Sequence, residues 1–318
     1  MLQTKKLHEI IKKPVARLAL LLILPGIRTL AQSTPAMPPA QSIEVLGQHL
    51  QYYEKGQGPN VIFLHGLGGE ASNWAANIGP VAQKFHVYAL DQIGFGHSDK
   101  PLIEYKIATF VDFLQAFMQA VKIPKATLVG NSLGGWIAVD FAIHHPEMTD
   151  KLVLVDAAGL LPKGVPGFVN EKVENGPRKI ISELVAGSTL PVDLNPSSLE
   201  GMRKVLEYLV YDKQAITDDV VRNAFEGHLK SGDGYTIQRV LDGINSTNQF
   251  EDDRLRSIHL PTLVFWGRED RLIPLEAGRR YQKGVKGARL VMIENCGHIP
   301  HIEKPAEFNR ALLEFLGE

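Results

Sequence analysis

Six short runs rich in Val, Ile and Leu recur along this chain: Val61–Leu64, Val87–Leu90, Ala126–Val129, Leu152–Val155, Leu263–Trp266 and Leu290–Ile293. Longer segments of helical period lie between them. Each run is too short for a buried helix and lacks the polar alternation of a half-wet strand, so each reads as a strand buried on both faces. Few folds accommodate that pattern. Buried strands alternating with helices form a mostly parallel sheet with helices covering both faces, an α/β fold. Residues 43–53 read as an antiparallel hairpin leading into the sheet, with Gly47 near its turn. Phe110, Phe113, Leu114, Phe117 and Val121 fall at helical spacing and predict a covering helix over 107–121. The alternation breaks between Gly159 and about Arg256, where Leu199, Met202, Val205, Leu206 and Leu209 keep a helical period. Residues 160–256 therefore read as a helical insertion, and 43–159 with 257–318 as the α/β core. A chain of 318 residues that is 44% hydrophobic supports a core of that size.

The N-terminus follows different rules. A basic stretch ends at Arg17 and is followed by seven apolar residues, Leu18–Leu24, the breakers Pro25 and Gly26, and the small-residue site Thr29-Leu30-Ala31. This is the pattern of a signal peptide over residues 1–31, cleaved near Ala31, and it predicts an exported protein, periplasmic or secreted. Seven apolar residues fall well short of the roughly 20 that a spanning helix needs. Residues 32–42 read as a Pro-rich linker. The formal net charge of −1, from 34 basic and 35 acidic residues, conceals a split. Lys5, Lys6, Lys12, Lys13, Arg17 and Arg28 against Glu9 give the leader +5, which leaves −6 on the rest. An acidic mature chain gives no reason to expect a nucleic-acid partner, and membrane contact is not predicted for it. Cys296 is the single cysteine, so no internal disulfide forms, and no Cys/His spacing suits structural zinc. It reads as a buried filler rather than a nucleophile.

The chemistry centres on Gly130-Asn131-Ser132-Leu133-Gly134-Gly135, a GxSxG spacing between a predicted strand and a helix running through His144. A serine on so sharp a turn needs neighbours without side-chain bulk, and the turn lifts its Oγ above the sheet edge. Ser132 is the candidate nucleophile. A serine hydroxyl at neutral pH requires a base, and the base an orienting acid. Downstream, Asp270 follows one predicted strand in Trp-Gly-Arg-Glu-Asp270, and His298 follows the next in Glu-Asn-Cys-Gly-His298. The order Ser, Asp, His suits a triad at one edge of a parallel sheet. Glu269 and Asp156 are the alternative acids. An oxyanion formed on an acyl carbon needs two donors. These are predicted to be the backbone N–H groups of Leu133 and of Leu67, the latter in the turn His65-Gly-Leu-Gly-Gly69. His65 itself reads as a structural hydrogen-bonder of that turn. No metal or organic cofactor is required.

Five blocks in order, His65–Gly69 with Trp74, Asp91–Asp99, Gly130–Gly135, Trp266–Asp270 and Cys296–His298, resemble the α/β-hydrolase superfamily from about residue 43 to the C-terminus. The resemblance implies that 160–256 form a helical cap supplying much of the acyl pocket, and that Asp91, Gly94, Gly96 and Ser98 form a structural turn. Haloalkane dehalogenases and epoxide hydrolases carry Asp where this chain has Ser132. What remains is ester hydrolysis or its relatives. Asn131 is similar to the elbow of meta-cleavage C–C hydrolases and of some lipases. The C–C enzymes tend to have Trp after the catalytic His and a cap Arg gripping a substrate carboxylate. Here Ile299 follows His298, and Arg178, Arg203 and Arg222 are the candidates for such an Arg. The run Cys296–Pro305, and export itself, favour a serine esterase or lipase acting on a small-molecule or lipid ester. C–C bond hydrolysis with the same triad is the alternative, and a non-catalytic ligand receptor a more distant one.

Overall fold

A computed structural model describes residues 35–160, 192–244 and 252–318. The predicted leader, Arg178 and about two-fifths of the predicted cap lie outside the described residues. Eight strands, β1 (Ala40–Val45), β2 (Gln48–Lys55), β3 (Asn60–Leu64), β4 (His86–Leu90), β5 (Ala126–Asn131), β6 (Thr149–Val155), β7 (Thr262–Gly267) and β8 (Arg289–Ile293), form one sheet in the order β1-β2-β4-β3-β5-β6-β7-β8. β2 is antiparallel to both β1 and β4, and every other pairing is parallel. All six predicted runs are strands.

The entry hairpin is longer than the hydrophobic pattern predicts. Ala40, Gln41 and Ser42, read above as linker, pair with Tyr53, Tyr52 and Gln51 as the start of β1. Their side chains are exposed, so the apolar pattern carries no trace of them and backbone pairing alone extends the strand. Leu46 and Gly47 make the two-residue turn with φ of 51° and 72°, the left-handed pair that a tight hairpin requires.

Alternation along the strands divides the core in two. Ile62, Leu64, Leu128, Leu152, Leu154 and Val264 face one side, where α2 (Ile107–Ala120), α3 (Leu133–His144) and α8 (Leu275–Gly284) cover them. Val61, Phe63, Val129, Val153, Val155 and Phe265 face the other, against α1 (Ala75–Val81) and α10 (Pro305–Leu316). Trp74 stacks on Phe63 in that second layer, with ring centroids 4.7 Å apart.

Within the insertion, α4 (Leu199–Leu209), α5 (Asp218–Ser231) and α6 (Gly234–Ile244) follow the predicted helical period, and α7 (Asp252–Leu255) leads back into the sheet. Ser198 and Thr217 cap the first two by accepting the N–H groups of Gly201 and Val220. α4 and α5 share a small apolar cluster of Met202, Leu206, Val210, Ile216, Val221 and Ala224. Ile237 and Val240 of α6 join the main core instead. The remaining short helix, α9 (Pro300–Glu303), follows directly on the His298 loop.

Among the described residues no helix is long and apolar enough to cross a membrane.

Candidate active site

Ser132 stands between β5 and α3 at φ 53°, ψ −116°, a conformation that non-glycine residues adopt only under constraint. The glycines around it explain how the turn closes. A Cβ on Gly130 would lie 2.2 Å from the Gly134 carbonyl oxygen, and one on Gly134 would lie 2.3 Å from that of Leu64. No side chain fits at either place. The GxSxG spacing is thus the steric condition for driving the helix N-terminus into the sheet edge. The Ser132 N–H donates to Val155 O at 3.0 Å, and its carbonyl accepts from Trp136 and Ala158.

The structure brings the predicted base and acid together. His298 Nδ1 lies 2.7 Å from Asp270 Oδ2, and both side chains are buried. Asp270 Oδ1 accepts the backbone N–H groups of Leu272 at 2.8 Å and Ile273 at 3.0 Å. These donors hold the carboxylate plane, so the imidazole it binds has a set direction, with Nδ1–H toward the acid. His298 Nε2 is buried with no partner among the described residues, which leaves it free to serve a hydroxyl. Glu269 is drawn away, accepting the Cys296 N–H at 3.0 Å through Oε2. Asp156 is not drawn away. One ligand atom from each of Asp156, Asp270 and His298 falls within 4.8 Å of the others.

The predicted oxyanion turn passes beside the serine, since a Cβ on Gly66 would lie 3.2 Å from Ser132 Cβ. His65 is fully occupied: Nδ1 bonds Gly66 O at 2.8 Å, and Nε2 accepts the Gln92 N–H at 3.1 Å. Burial holds its pKa below the usual histidine value, so it stays neutral as a structural member of the turn. Asp91 plays the buttressing part implied by the resemblance. Its Oδ1 accepts from Ala71 N and its Oδ2 from His97 N, while a Cβ on Gly96 would meet the carboxylate carbon at 2.4 Å. Cys296 is fully buried and burial pushes its thiol pKa up, as fits a filler.

Several connections had no motif to announce them. Asn131 Nδ2 donates both to Val155 O and to His298 O, at 3.1 Å each, and so ties the elbow to the base loop. His298 N–H donates to Leu209 O at 2.7 Å, at the end of α4. Glu303 accepts Gly297 N–H through Oε1 and Tyr211 N–H through Oε2, fastening the insertion to the same loop. The only sequence signal for them was their nearness to the GxSxG and Cys-Gly-His blocks. Replacing Asn131 by Ala removes two buried bonds and takes from the His298 carbonyl its side-chain donor, while Val155 O keeps the Ser132 N–H, and is expected to destabilise the fold by about 2 kcal/mol in urea titration. A change below about 0.5 kcal/mol would show that the bridge does not hold the loops.

Among the proposed carboxylate-gripping arginines, Arg203 is engaged with Ile216 O and Asp218 inside the insertion, and Arg222 is exposed. Ile299 packs onto the α4–α5 cluster.

Against known proteins, residues 59–305 match the family described as "alpha/beta hydrolase fold". The chain is 33% identical over 278 residues to a 2-hydroxy-6-oxo-6-phenylhexa-2,4-dienoate hydrolase of Comamonas testosteroni, covering 84% of this chain and 91% of the relative. It resembles the structure of a meta-cleavage product hydrolase from Pseudomonas fluorescens IP01, with TM-score 0.74, 28% identity and coverage of 87% and 97%. It resembles equally a structure described as a membrane phospholipase A, with TM-score 0.75, 26% identity and coverage of 88% and 86%.

Proposed function

Because the chain belongs to the alpha/beta hydrolase family, a family of hydrolases, we propose that it works as a serine hydrolase with Ser132 as nucleophile, His298 as base and Asp270 as orienting acid. Ser132 Oγ attacks a carbonyl carbon while His298 Nε2 takes its proton, and the N–H groups of Leu67 and Leu133 receive the charge that develops on oxygen. His298 then returns the proton to the departing group. Water, activated by His298, frees the acyl group and regenerates Ser132. The supporting geometry is the Asp270–His298 pair with Nε2 unpartnered, a serine held in a strained elbow, and the Asn131 bond that joins the elbow to the His298 loop.

For the substrate, the observation with most weight is the 33% identity to the dienoate hydrolase over 84% of the chain. It favours hydrolysis of a C–C bond in a vinylogous diketone, the reading placed second from the motifs alone. A carbon group can leave an acyl carbon only if the vinylogous carbonyl takes up its electron pair and a proton reaches carbon. The ester reading stands second, on two observations. Ile299 packs onto the insertion's own cluster and puts no aromatic ring beside His298, and the phospholipase structure is as close in fold as the C–C hydrolase.

One panel separates the two. 2-Hydroxy-6-oxo-6-phenylhexa-2,4-dienoate is expected to lose its dienone absorbance and yield one benzoate and one 2-hydroxypentadienoate per water consumed, faster than p-nitrophenyl esters from acetate to palmitate release nitrophenol. Ester turnover with an unchanged dienone would reverse the order of the two readings. Turnover of neither, with tight binding of one, would favour a receptor.

A further inference from the structure

Two buried carboxyl groups stand behind His298 where a triad needs one. Asp156 follows β6 and Asp270 follows β7; both are buried, Asp156 completely. Asp156 is held at φ 45°, a left-handed value uncommon outside glycine and one that Asp adopts more readily than most side chains. Its Oδ1 accepts the Gly267 N–H at 2.9 Å, while its Oδ2 is buried with no donor among the described residues. Asp270, by contrast, has three donors: Leu272 N, Ile273 N and His298 Nδ1. Two carboxylates this close and this dry cannot both be ionised. The charge settles where the donors are, on Asp270, and the proton settles on the group that lacks them.

We propose that Asp156 is a positioning residue that keeps its proton and donates it from Oδ2 to the Asp270 carboxylate, so that the acid of the triad is a carboxyl–carboxylate pair. Asp270 then has four donors around it, and its plane is fixed from the β6 side as well as from its own loop. The electrostatics of the site agree with the geometry. Burial above all, then the Asp270 charge, raises the Asp156 pKa well above the usual carboxylate range, with only the Gly267 N–H working against them. The other titratable groups bearing on it are His298, Glu303 and Cys296. Glu303 adds to the rise, and its own pKa is raised by burial.

This inference rests on the triad reading but not on the substrate. Its test is therefore the rate at which a fluorophosphonate labels Ser132, followed against pH. In that reaction an Oγ–P bond forms, fluoride leaves, and neutral His298 takes the hydroxyl proton, so the rate rises with pH as His298 loses its own proton. Asp156→Asn keeps a neutral donor toward Asp270 and an acceptor for Gly267 N–H. It is expected to label within about threefold of the wild-type rate with the rising limb unmoved. Asp156→Ala removes both and is expected to slow labelling by about tenfold. Its limb should move to higher pH, because an Asp270 stripped of a donor binds the imidazolium more tightly.

The opposite assignment has the opposite sign. If Asp156 were ionised, Asp156→Asn would remove a negative charge a few ångström from the imidazolium, and the limb would fall by about one pH unit or more. Such a fall, or an Asp156→Asn rate as low as that of Asp156→Ala, overturns the proposal. Asp156→Asn decides the matter even where the alanine variant fails to fold. Asp270→Asn serves as the control. It should lose labelling by several orders of magnitude, and undiminished labelling there would refute the triad reading itself rather than the role of Asp156.

Discussion

Ser132→Ala is expected to lower turnover of the preferred substrate by about 10⁵-fold or more, to the level set by binding and the oxyanion donors alone. The loss should fall almost entirely on kcat, since the hydroxyl forms a bond to substrate only as the reaction proceeds. Stability should stay within about 1 kcal/mol of the parent. The strained backbone at this position is set by Gly130, Gly134 and the Val155 carbonyl, not by the hydroxyl, and alanine tolerates φ 53° no worse than serine does. Denaturant titration beside a steady-state assay checks both halves. Turnover above about one per cent of the parent would move the nucleophile elsewhere, because removing a triad serine has no comparably mild outcome.

Gly267→Ala should do the reverse, damaging fold and activity together. Gly267 ends β7, where a Cβ would lie 1.9 Å from Gly297 O and 2.7 Å from Cys296 O. Both obstacles are backbone, so no side-chain rotation relieves them. The loop carrying Asp270 must then move away from the loop carrying His298, and the Gly267 N–H must turn from Asp156. A cost of about 3 kcal/mol or more is expected, as for other overpacked buried sites. Protein that still folds should lose about a hundredfold in Ser132 labelling, since a shift near 1 Å between reacting groups has that effect. Gly227→Ala is the control, a position inside α5 with nothing within 4 Å of the added methyl. It should be neutral or slightly stabilising. Equal stability of the two variants would contradict the close approach of the acid and base loops.

The sheet was legible because its central strands are buried on both faces and so stand out as unbroken apolar runs. β8, with Arg289 and Met292 exposed, is the least buried of the six, although its Leu290–Ile293 run is apolar throughout. The first three residues of β1 were not legible at all, since exposed polar side chains on an edge strand say nothing about backbone pairing. The proposed triad of Ser132, Asp270 and His298 could be read because steric conditions leave glycines in the sequence and strand ends place the rest. Asp156 could be named only as a competitor to Asp270. That both acids converge on one imidazole follows from β6 and β7 being neighbours, a fact of topology that no local spacing encodes. The Leu209 carbonyl is invisible for a different reason: every residue has one, and only the fold decides which will meet His298. Substrate class is least legible, because it depends on side chains of the insertion rather than on the triad.

The adjacency of β6 and β7 has a cost during synthesis. Val155 pairs with Phe265, and more than a hundred residues, most of them the insertion, are made between them. At roughly 5–20 residues per second, the outer edge of β6 stands unpaired for about 5–20 seconds after its own residues have left the ribosome. That edge belongs to Leu152-Val153-Leu154-Val155, apolar on both faces and free of charge, and thus a template for another strand to join. Yield of soluble protein is therefore expected to depend on how quickly β7 arrives, with slower translation of the insertion favouring aggregates over enzyme.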